Sequence, residues 1–312
     1  MDKKTSDKIR VDYSRLMDLR IDYAFKLLFT KGDPRLLISL LNAIFANKKI
    51  NRIIKSLTIK NPYLDKESGE DKLSILDIRA ELNDGTAVLV EMHLYGLGEL
   101  KAKTIRSWAR AYGEELEAGK SFASQPPTIT IAFTNGTVEP LGSASSTPED
   151  KIHRLCMIMD CEDHTVFTDA MELHYIDMKA FAKVVNDAGG INSEDGLFAK
   201  WLSVITQKEI TNKTIIENAC QEEDIFMAVS TLALQSEDKY TRQAYQRRQD
   251  EIYFFNKSMF EKEQAERKIA QVELRLKSAI ESLLGTGNTI TEVATMMGMP
   301  EHEIVELLPQ LK

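Results

Sequence analysis

Cysteine is scarce in this sequence, and long apolar runs are missing. The three cysteines, Cys156, Cys161 and Cys220, are too few and odd in number for a disulfide scaffold, which favours a reducing compartment. No apolar run approaches the roughly 18 residues that span a bilayer. The N-terminal stretch "MDKKTSDKIRVDYSRLMDLR" contains nothing typical of a signal peptide. We therefore expect a cytoplasmic protein that does not associate with membranes.

Positively charged residues are fewer than negatively charged ones: the sequence has 40 Lys and Arg residues and 48 Asp and Glu residues, for a net charge of −8. This balance argues against a protein that coats nucleic acid by bulk electrostatics. It allows a local basic track, since an enzyme acting on DNA needs positive charge only where phosphates lie. The sequence also lacks the G-x-S-x-G, P-loop and dinucleotide motifs of serine hydrolases, NTPases and Rossmann enzymes.

Apolar periodicity in the first half of the chain predicts the order ααβββαβ. The first helix is predicted over residues 15–30, and the second begins with Asp33 as its N-cap and Pro34 in its first turn. The remaining elements are three strand-like runs at 50–60, 72–82 and 86–95, a helix at 98–120 and a strand that begins near residue 125.

The second half begins with two strand-like runs, "IHRLCMIMD" and "MELHYIDM", and then becomes helical. Residues 238–284 contain neither proline nor glycine, which predicts one long helix that contacts a partner or its own copy. Two short helices around Gly298 resemble a helix-turn-helix. Because "EHEIVELL" is acidic, a hairpin that caps the long helix or binds protein is an equally good interpretation. We predict three domains, 1–205, 206–284 and 285–312.

A hairpin with carboxylates on both strands is the first candidate site. The loop Asn83-Asp84-Gly85 suits a three-residue turn that ends in a glycine with positive φ. That turn pairs Leu82 with Thr86 and, by counting back, Asp77 with Glu91. Opposed residues have Cβ atoms about 5 Å apart.

Two carboxylates at that separation repel each other unless a cation neutralises them. Oxygen ligands of this kind suit Mg²⁺ or Mn²⁺. A solvated hairpin face, on which Arg79 and lysines offset the acids, is the simpler alternative. However, the apolar strand "TAVLVEMHLY" is expected to be buried, and a buried Glu91 needs a partner.

Four segments in this order resemble one family: "DYAFKLLFTKGDPRLLISLLNAIF", "LDIRAELNDGTAVLVEMH", "YGEELEAGKSF" and "LHYIDMKAF". They are similar to the bacterial PD-(D/E)XK nuclease-family transposases, also called recombination-promoting nucleases. The resemblance implies a mixed α/β fold, a restriction-endonuclease-like PD-(D/E)XK core with a helical C-terminal extension. It also implies Mg²⁺- or Mn²⁺-dependent hydrolysis of DNA phosphodiester bonds, linked to transposition or recombination.

The same resemblance assigns roles to individual residues. Asp77 and Glu91 match the metal ligands, and Asp22 matches the acid of the "D-x-x-F-K" motif, as a further ligand or as a residue that holds a metal-bound water. His93 occupies the place where the family has Lys or Gln. It could position or deprotonate the attacking water, complete the metal shell, or mark an inactive site.

Three further expectations concern DNA contacts, binding partners and the alternative to an enzyme. Lys103, Arg106 and Arg110 form a row on one helix that either contacts DNA phosphates or is a solvated face. The partners are DNA and a second copy of the chain, bound through the helical C-terminal region. The alternative to an enzyme is a catalytically inactive protein with the nuclease fold that binds DNA or protein.

The segment "HRLCMIMDCEDH" has an H-x₂-C-x₄-C-x₂-H spacing that suggests zinc. Its residues are His153, Cys156, Cys161 and His164. The apolar alternation through this segment favours instead a strand whose cysteines are small core residues.

Overall fold

The computed structural model describes residues 11–60, 78–95, 97–114, 121–139, 152–191 and 196–308. The chain divides into two compact units, Met1–Gln249 and Asp250–Lys312.

Six strands of the described residues form one mixed sheet in the first unit. They are β1 (Leu57–Ile59), β2 (Ile78–Leu82), β3 (Ala87–His93), β4 (Thr128–Thr134), β5 (His153–Met159) and β6 (Val166–Asp177). Their order across the sheet is β1-β2-β3-β4-β6-β5. The central strands β3, β4 and β6 are parallel, and the other pairs are antiparallel. The predicted antiparallel meander β1-β2-β3 is confirmed, as is the mixed α/β class.

Helices cover both faces of this sheet. In the first unit they are α1 (Asp22–Lys31), α2 (Pro34–Asn47), α3 (Leu100–Glu114), α4 (Met178–Ala188), α5 (Leu197–Ile205), α6 (Thr214–Ala219) and α7 (Glu223–Glu237). Phe25 of α1 packs on Phe133 of β4 with ring centroids 5.5 Å apart. On the opposite face, Trp108 of α3 donates a hydrogen bond of 3.3 Å to the carbonyl of Ala170. The predicted order ααβββαβ is confirmed.

The first helix begins seven residues later than predicted. Asp18 forms a turn, in which its carbonyl accepts from the N–H of Ile21 at 3.1 Å and its carboxylate accepts from the N–H of Arg20 at 3.0 Å. Residues 18–21 therefore form a turn, and the helix begins after it, at Asp22. The second helix begins as predicted, because the Asp33 carboxylate caps it through the N–H of Arg35 and Pro34 stands in its first turn.

The strand predicted over residues 50–60 is reduced to Leu57–Ile59. The side chain of Asn42 on α2 donates to the carbonyl of Ile54 at 3.0 Å and accepts from its N–H at 2.8 Å. Both backbone groups that a strand would need at Ile54 are therefore occupied. The helix predicted at 98–120 is observed as α3, and its last six predicted residues lie outside the described ranges.

The long helix predicted over 238–284 is α8 (Lys239–Gly285), which runs from the first unit into the second. It is followed by α9 (Ile290–Met297) and α10 (Glu301–Leu307). Thr289 and Glu292 form a capping box, and Gly298 ends α9 with φ 63°. The N-cap of α9 is thus Thr289. No helix in the described ranges combines the length and apolar character that crossing a bilayer requires.

The α9–α10 hairpin packs its apolar residues against the end of α8. The core of this unit consists of Ile280, Val293, Ala294, Ile304 and Leu308. The hairpin therefore caps the long helix, as one of the two interpretations expected. Contact with DNA stays a prediction.

A buried chain of polar side chains ties β5 and β6 to the end of α2. The amide of Asn47 donates to Nδ1 of His153 at 2.8 Å, which leaves the proton of that neutral ring on Nε2. This Nε2–H donates to Nδ1 of His174 at 3.0 Å. Nε2 of His174 in turn lies 3.6 Å from Glu172, whose carboxylate accepts two hydrogen bonds from Arg52, at 2.8 and 3.0 Å.

Burial sets the charge states along this chain. Burial, with nearby His174 and Lys48, lowers the pKa of His153 to about 2. Burial also lowers the pKa of His174. Burial by itself would raise the pKa of Glu172, but contacts with His174 and Arg52 outweigh it and lower this pKa to about 2. The chain is thus built from two neutral imidazoles and a carboxylate bound to a guanidinium.

We expect stability to fall with acidification from about pH 6.5, because unfolded imidazoles bind protons that the folded chain excludes. The stability that the neutral imidazole of His153 contributes is fully present above the histidine pKa of the unfolded chain. It is lost progressively as the pH falls from there toward about 2, the pKa of His153 in the folded protein. Each imidazole contributes a slope of about 1.4 kcal/mol per pH unit. Glu172 adds to the loss below about pH 4.5.

Urea denaturation between pH 7 and 5 measures this slope. His153→Gln should reduce it, whereas His302→Gln, at an exposed position on α10, should leave it unchanged. A wild-type free energy of unfolding that is constant over this range would contradict the assignment of neutral buried imidazoles.

Candidate active site

Glu91 is a carboxylate buried in the central strand. The β3 residues before it, Ala87–Val90, are all buried, and Glu91 itself is 3% exposed. Its register partner on β4 is Ala132, which in turn stands beside Tyr175 on β6. Ala132 and Tyr175 belong to the core cluster that packs against Trp108 of α3, so Glu91 lies on the α3 face of the sheet.

His93 is the hydrogen-bond partner of Glu91. Two residues apart on β3, they share one face, and Nε2 of His93 lies 2.8 Å from Oε2 of Glu91. The His93 side chain is 20% exposed, whereas that of Glu91 is 3% exposed. This bond is the only one that the described residues provide to either side chain. Among the described residues, Oε1 of Glu91 and Nδ1 of His93 have no hydrogen-bond partner.

Tyr175 is a neighbour of Glu91 that sequence reasoning missed. Burial raises the pKa of its hydroxyl, a hydrogen bond with Thr104 opposes that effect, and the charge of Glu91 adds to it. Glu91 thus lies in surroundings where water does little to screen its charge. Glu91 and Tyr175 come close through the register of β3, β4 and β6. No local sequence motif indicates that these two residues are neighbours.

The predicted register of the hairpin is confirmed over its described residues. Gly85 has φ 86°, and the N–H of Leu82 donates to the carbonyl of Thr86 at 2.9 Å. The pairs Ile78–Val90 and Glu81–Ala87 follow the same register. Asp77 lies outside the described residues, so its position opposite Glu91 stays a prediction.

Part of the hairpin is the solvated face that the simpler alternative expected. Arg79 forms an ion pair with Glu114 of α3 at 2.6 Å, and Glu81 forms one with Lys60 at 2.6 Å. These charges offset each other near the surface. The described polar partner of Glu91 is His93.

Asp22 has a partner that was not predicted. At the start of α1, its carboxylate accepts from Nε of Arg248 at 2.9 and 3.1 Å and from Nη2 at 2.5 Å. The two side chains are 14% and 8% exposed. Arg248 lies 226 residues away on α8, so no spacing rule could find it. The structure therefore joins Asp22 to Arg248 and joins Glu91 to His93.

The predicted basic row on α3 is exposed to solvent. Lys103 pairs with Glu99 at 3.2 Å, and Arg110 pairs with Glu114 at 3.0 Å. Arg106, between them, is also exposed. The row is accessible to phosphates, but acids one turn away offset two of its charges.

Glu91 and His93 fit part of a metal site. A carboxylate oxygen and an imidazole nitrogen without a described partner are donors that Mn²⁺ accepts, and Mg²⁺ needs only one or two carboxylates beside waters. In the described ranges, no group of three or more His, Cys, Asp or Glu side chains is arranged to hold a metal. A complete site therefore needs a further donor, for which Asp77 is the predicted residue.

The possible zinc motif is disfavoured by the positions of its residues. His153 is buried and bonded to His174 and Asn47, while Cys156 is half-buried and burial raises the pKa of its thiol. Cys161 and His164 are exposed in the turn between β5 and β6. The strand interpretation is thus confirmed for β5, but the expectation that Cys161 is a core residue was wrong.

The sheet order, the carboxylate on the central strand and the preceding hairpin define a nuclease-like fold of the PD-(D/E)XK type. Comparison with known families agrees: the model of the PD-(D/E)XK nuclease family transposases matches residues 19–265. The chain belongs to this family. No curated protein and no solved structure matches it. Membership supports a role related to nuclease action or transposition, and such nucleases generally use divalent metal ions.

The ion pair between Asp22 and Arg248 should stabilise the metal-free protein. Replacing either residue removes this charged contact from a largely buried side chain, so Asp22→Asn and Arg248→Gln should each cost about 3–5 kcal/mol. The double variant should cost less than the sum of both. Urea denaturation in EDTA measures this cycle.

The exposed pair Lys103–Glu99 provides a control for this cycle, with an expected coupling below about 1 kcal/mol. Equal coupling energies in the two cycles would contradict a structural role for Asp22. A stability unaffected by Asp22→Asn would contradict it as well.

The contact with Glu91 should fix the tautomer of His93. A carboxylate only accepts, so the neutral ring should carry its proton on Nε2 and its lone pair on Nδ1. Long-range ¹H–¹⁵N NMR of the metal-free protein, assigned by comparison with His93→Gln, distinguishes the tautomers. Glu91→Ala should weaken the preference, and an Nδ1–H ring in the wild type would refute it.

Proposed function

We propose that this chain is a metal-dependent DNA endonuclease of the cytoplasm that hydrolyses phosphodiester bonds during transposition or recombination. The observation that carries the proposal is the Glu91–His93 pair, a buried carboxylate with an open oxygen at the carboxyl end of the central strand. Family membership supports the same reaction class. The described register supports the counting that sets Asp77 opposite Glu91.

In this proposal, Asp77 and Glu91 hold Mg²⁺ or Mn²⁺. When bound, the ion neutralises the carboxylates, lowers the pKa of water and stabilises charge on the phosphate. Glu91 also accepts the Nε2–H of His93 and thereby orients the ring. Nδ1 of His93 then holds a lone pair that accepts a proton from the attacking water or donates to the ion.

The proposed role of Asp22 differs from that of the two ligands. Both of its oxygens accept from Arg248. Asp22 therefore assists by holding the start of α1 in place, and a direct metal contact would first have to displace the guanidinium.

The partners in this proposal are DNA and a second copy of the chain. Lys103, Arg106 and Arg110 contact phosphates from the exposed face of α3. The second copy binds through the helical C-terminal region, where apolar side chains of α8 are exposed.

A plasmid-nicking assay with Mg²⁺ or Mn²⁺ tests the reaction. Asp77→Ala and Glu91→Gln should each reduce the rate at least about 100-fold, because a metal ligand contributes several kcal/mol of transition-state stabilisation. Glu81→Gln is the matched control, since it removes an acid of the same hairpin that pairs with Lys60. Its rate should remain close to that of the wild type.

Calorimetry with Mn²⁺ separates the enzyme from the inactive binding module. The enzyme should bind the ion and lose it in Glu91→Gln. Nicking that is equal in the wild type and Asp77→Ala, or missing from both, contradicts the proposed reaction. If metal binding is missing as well, a protein that only binds DNA or protein is the better account.

A further inference from the structure

The part of α8 in the second unit exposes an unusual number of large apolar side chains. Nineteen large apolar residues of the described ranges are exposed, and eight of them lie within residues 253–274: Tyr253, Phe254, Phe255, Met259, Phe260, Ile269, Val272 and Leu274. Large exposed apolar areas mark interaction sites more often than isolated exposed residues do. A partner is therefore expected along this stretch.

The charge of the stretch limits the kind of partner. Residues 250–276 contain five Lys or Arg and six Asp or Glu, interleaved along the helix, for a balance of −1. A DNA backbone or an anionic membrane would require a clear excess of positive charge. Mixed charge around apolar residues is typical of helix-to-helix pairing.

Three of the eight, Phe255, Ile269 and Val272, lie at a or d positions of one heptad register. The a positions are Phe255, Lys262, Ile269 and Leu276, and the d positions are Ser258, Ala265 and Val272. We call the line of a and d residues along α8 the seam. The α9–α10 hairpin already covers part of Leu276, so the exposed part of the seam ends there. A single lysine at an a position is a known device that selects register and partner at some cost in stability.

Charges beside the seam select the orientation of a second copy. The e positions Glu266 and Glu273 are acidic, and the g positions Lys268 and Arg275 are basic. In a parallel pair, a residue at g of one helix lies beside the residue at e of the next heptad in the other helix. Lys268 of each copy therefore lies beside Glu273 of the other, which gives two such contacts in the dimer. In an antiparallel pair, like charges meet on both sides. The preceding pair, Glu261 with Glu266, repels in the parallel arrangement, so the favourable stretch begins at Ala265.

We infer that two copies of this chain pair in parallel through the α8 seam from Ala265 to Leu276. The inference names the surface and geometry of the self-association within the proposed function, and it holds whether or not the chain cuts DNA.

Light scattering of the full-length protein tests the pairing. The wild type should have about twice the chain mass of 35.3 kDa. Ile269→Asp with Val272→Asp should weaken association at least tenfold. Leu274→Asp is the matched control, because Leu274 is 66% exposed but occupies the outward f position, and it should remain a dimer. All three positions are exposed, so circular dichroism should show unchanged helix content.

Charge variants test the orientation. Glu273→Lys should weaken a parallel dimer, and adding Lys268→Glu should restore it. In an antiparallel dimer, Glu273→Lys would instead strengthen association, because it would face Glu266. A monomeric wild type, a dimer that survives the double Asp variant, or equal dissociation by Leu274→Asp would each overturn the inference. The nicking assay is read separately, so failure of pairing and failure of catalysis are distinguishable.

Discussion

Burying a carboxylate in the central strand is the constraint from which the candidate site follows. Glu91 is 3% exposed, pairs with Ala132 on β4 and has a core cluster on its face, so water contributes little to its solvation. The described residues offer it one polar partner, the imidazole of His93. An apolar residue would pack at this position without such a penalty, and the metal-binding role that we propose for Glu91 would account for the carboxylate there.

Local sequence signals predicted the elements, and the register followed from one turn. The loop Asn83-Asp84-Gly85 admits few geometries, so counting from it paired Glu81 with Ala87 correctly. The long helix was predictable because nothing between residues 238 and 284 breaks a helix. Two element boundaries were predicted wrongly, also for local reasons. The strand predicted from residue 50 is shorter because Asn42 occupies the backbone groups of Ile54, and the first helix begins later because Asp18 forms a turn.

The partners of the buried charges could not be predicted, because they are distant in sequence. Arg248 reaches Asp22 across 226 residues, and Arg52 reaches Glu172 across 120. No periodicity or motif carries information about such pairs, which depend on how elements pack. The family match, from residue 19 to 265, includes both members of each pair. The match thus extends beyond the six-stranded sheet to the first part of α8, which holds the start of α1 through Arg248.

Three acids of the first unit, Asp22, Glu91 and Glu172, differ in the number and charge of their described partners. Asp22 and Glu172 each meet a guanidinium with both oxygens, so the charge of each carboxylate is already offset by a positive side chain. Glu91 meets only a histidine, through one oxygen. A carboxylate that is both buried and incompletely paired attracts a cation more strongly than one already neutralised. Among these three acids, Glu91 is therefore the residue around which a divalent ion would be held, while the other two keep the surrounding elements in place.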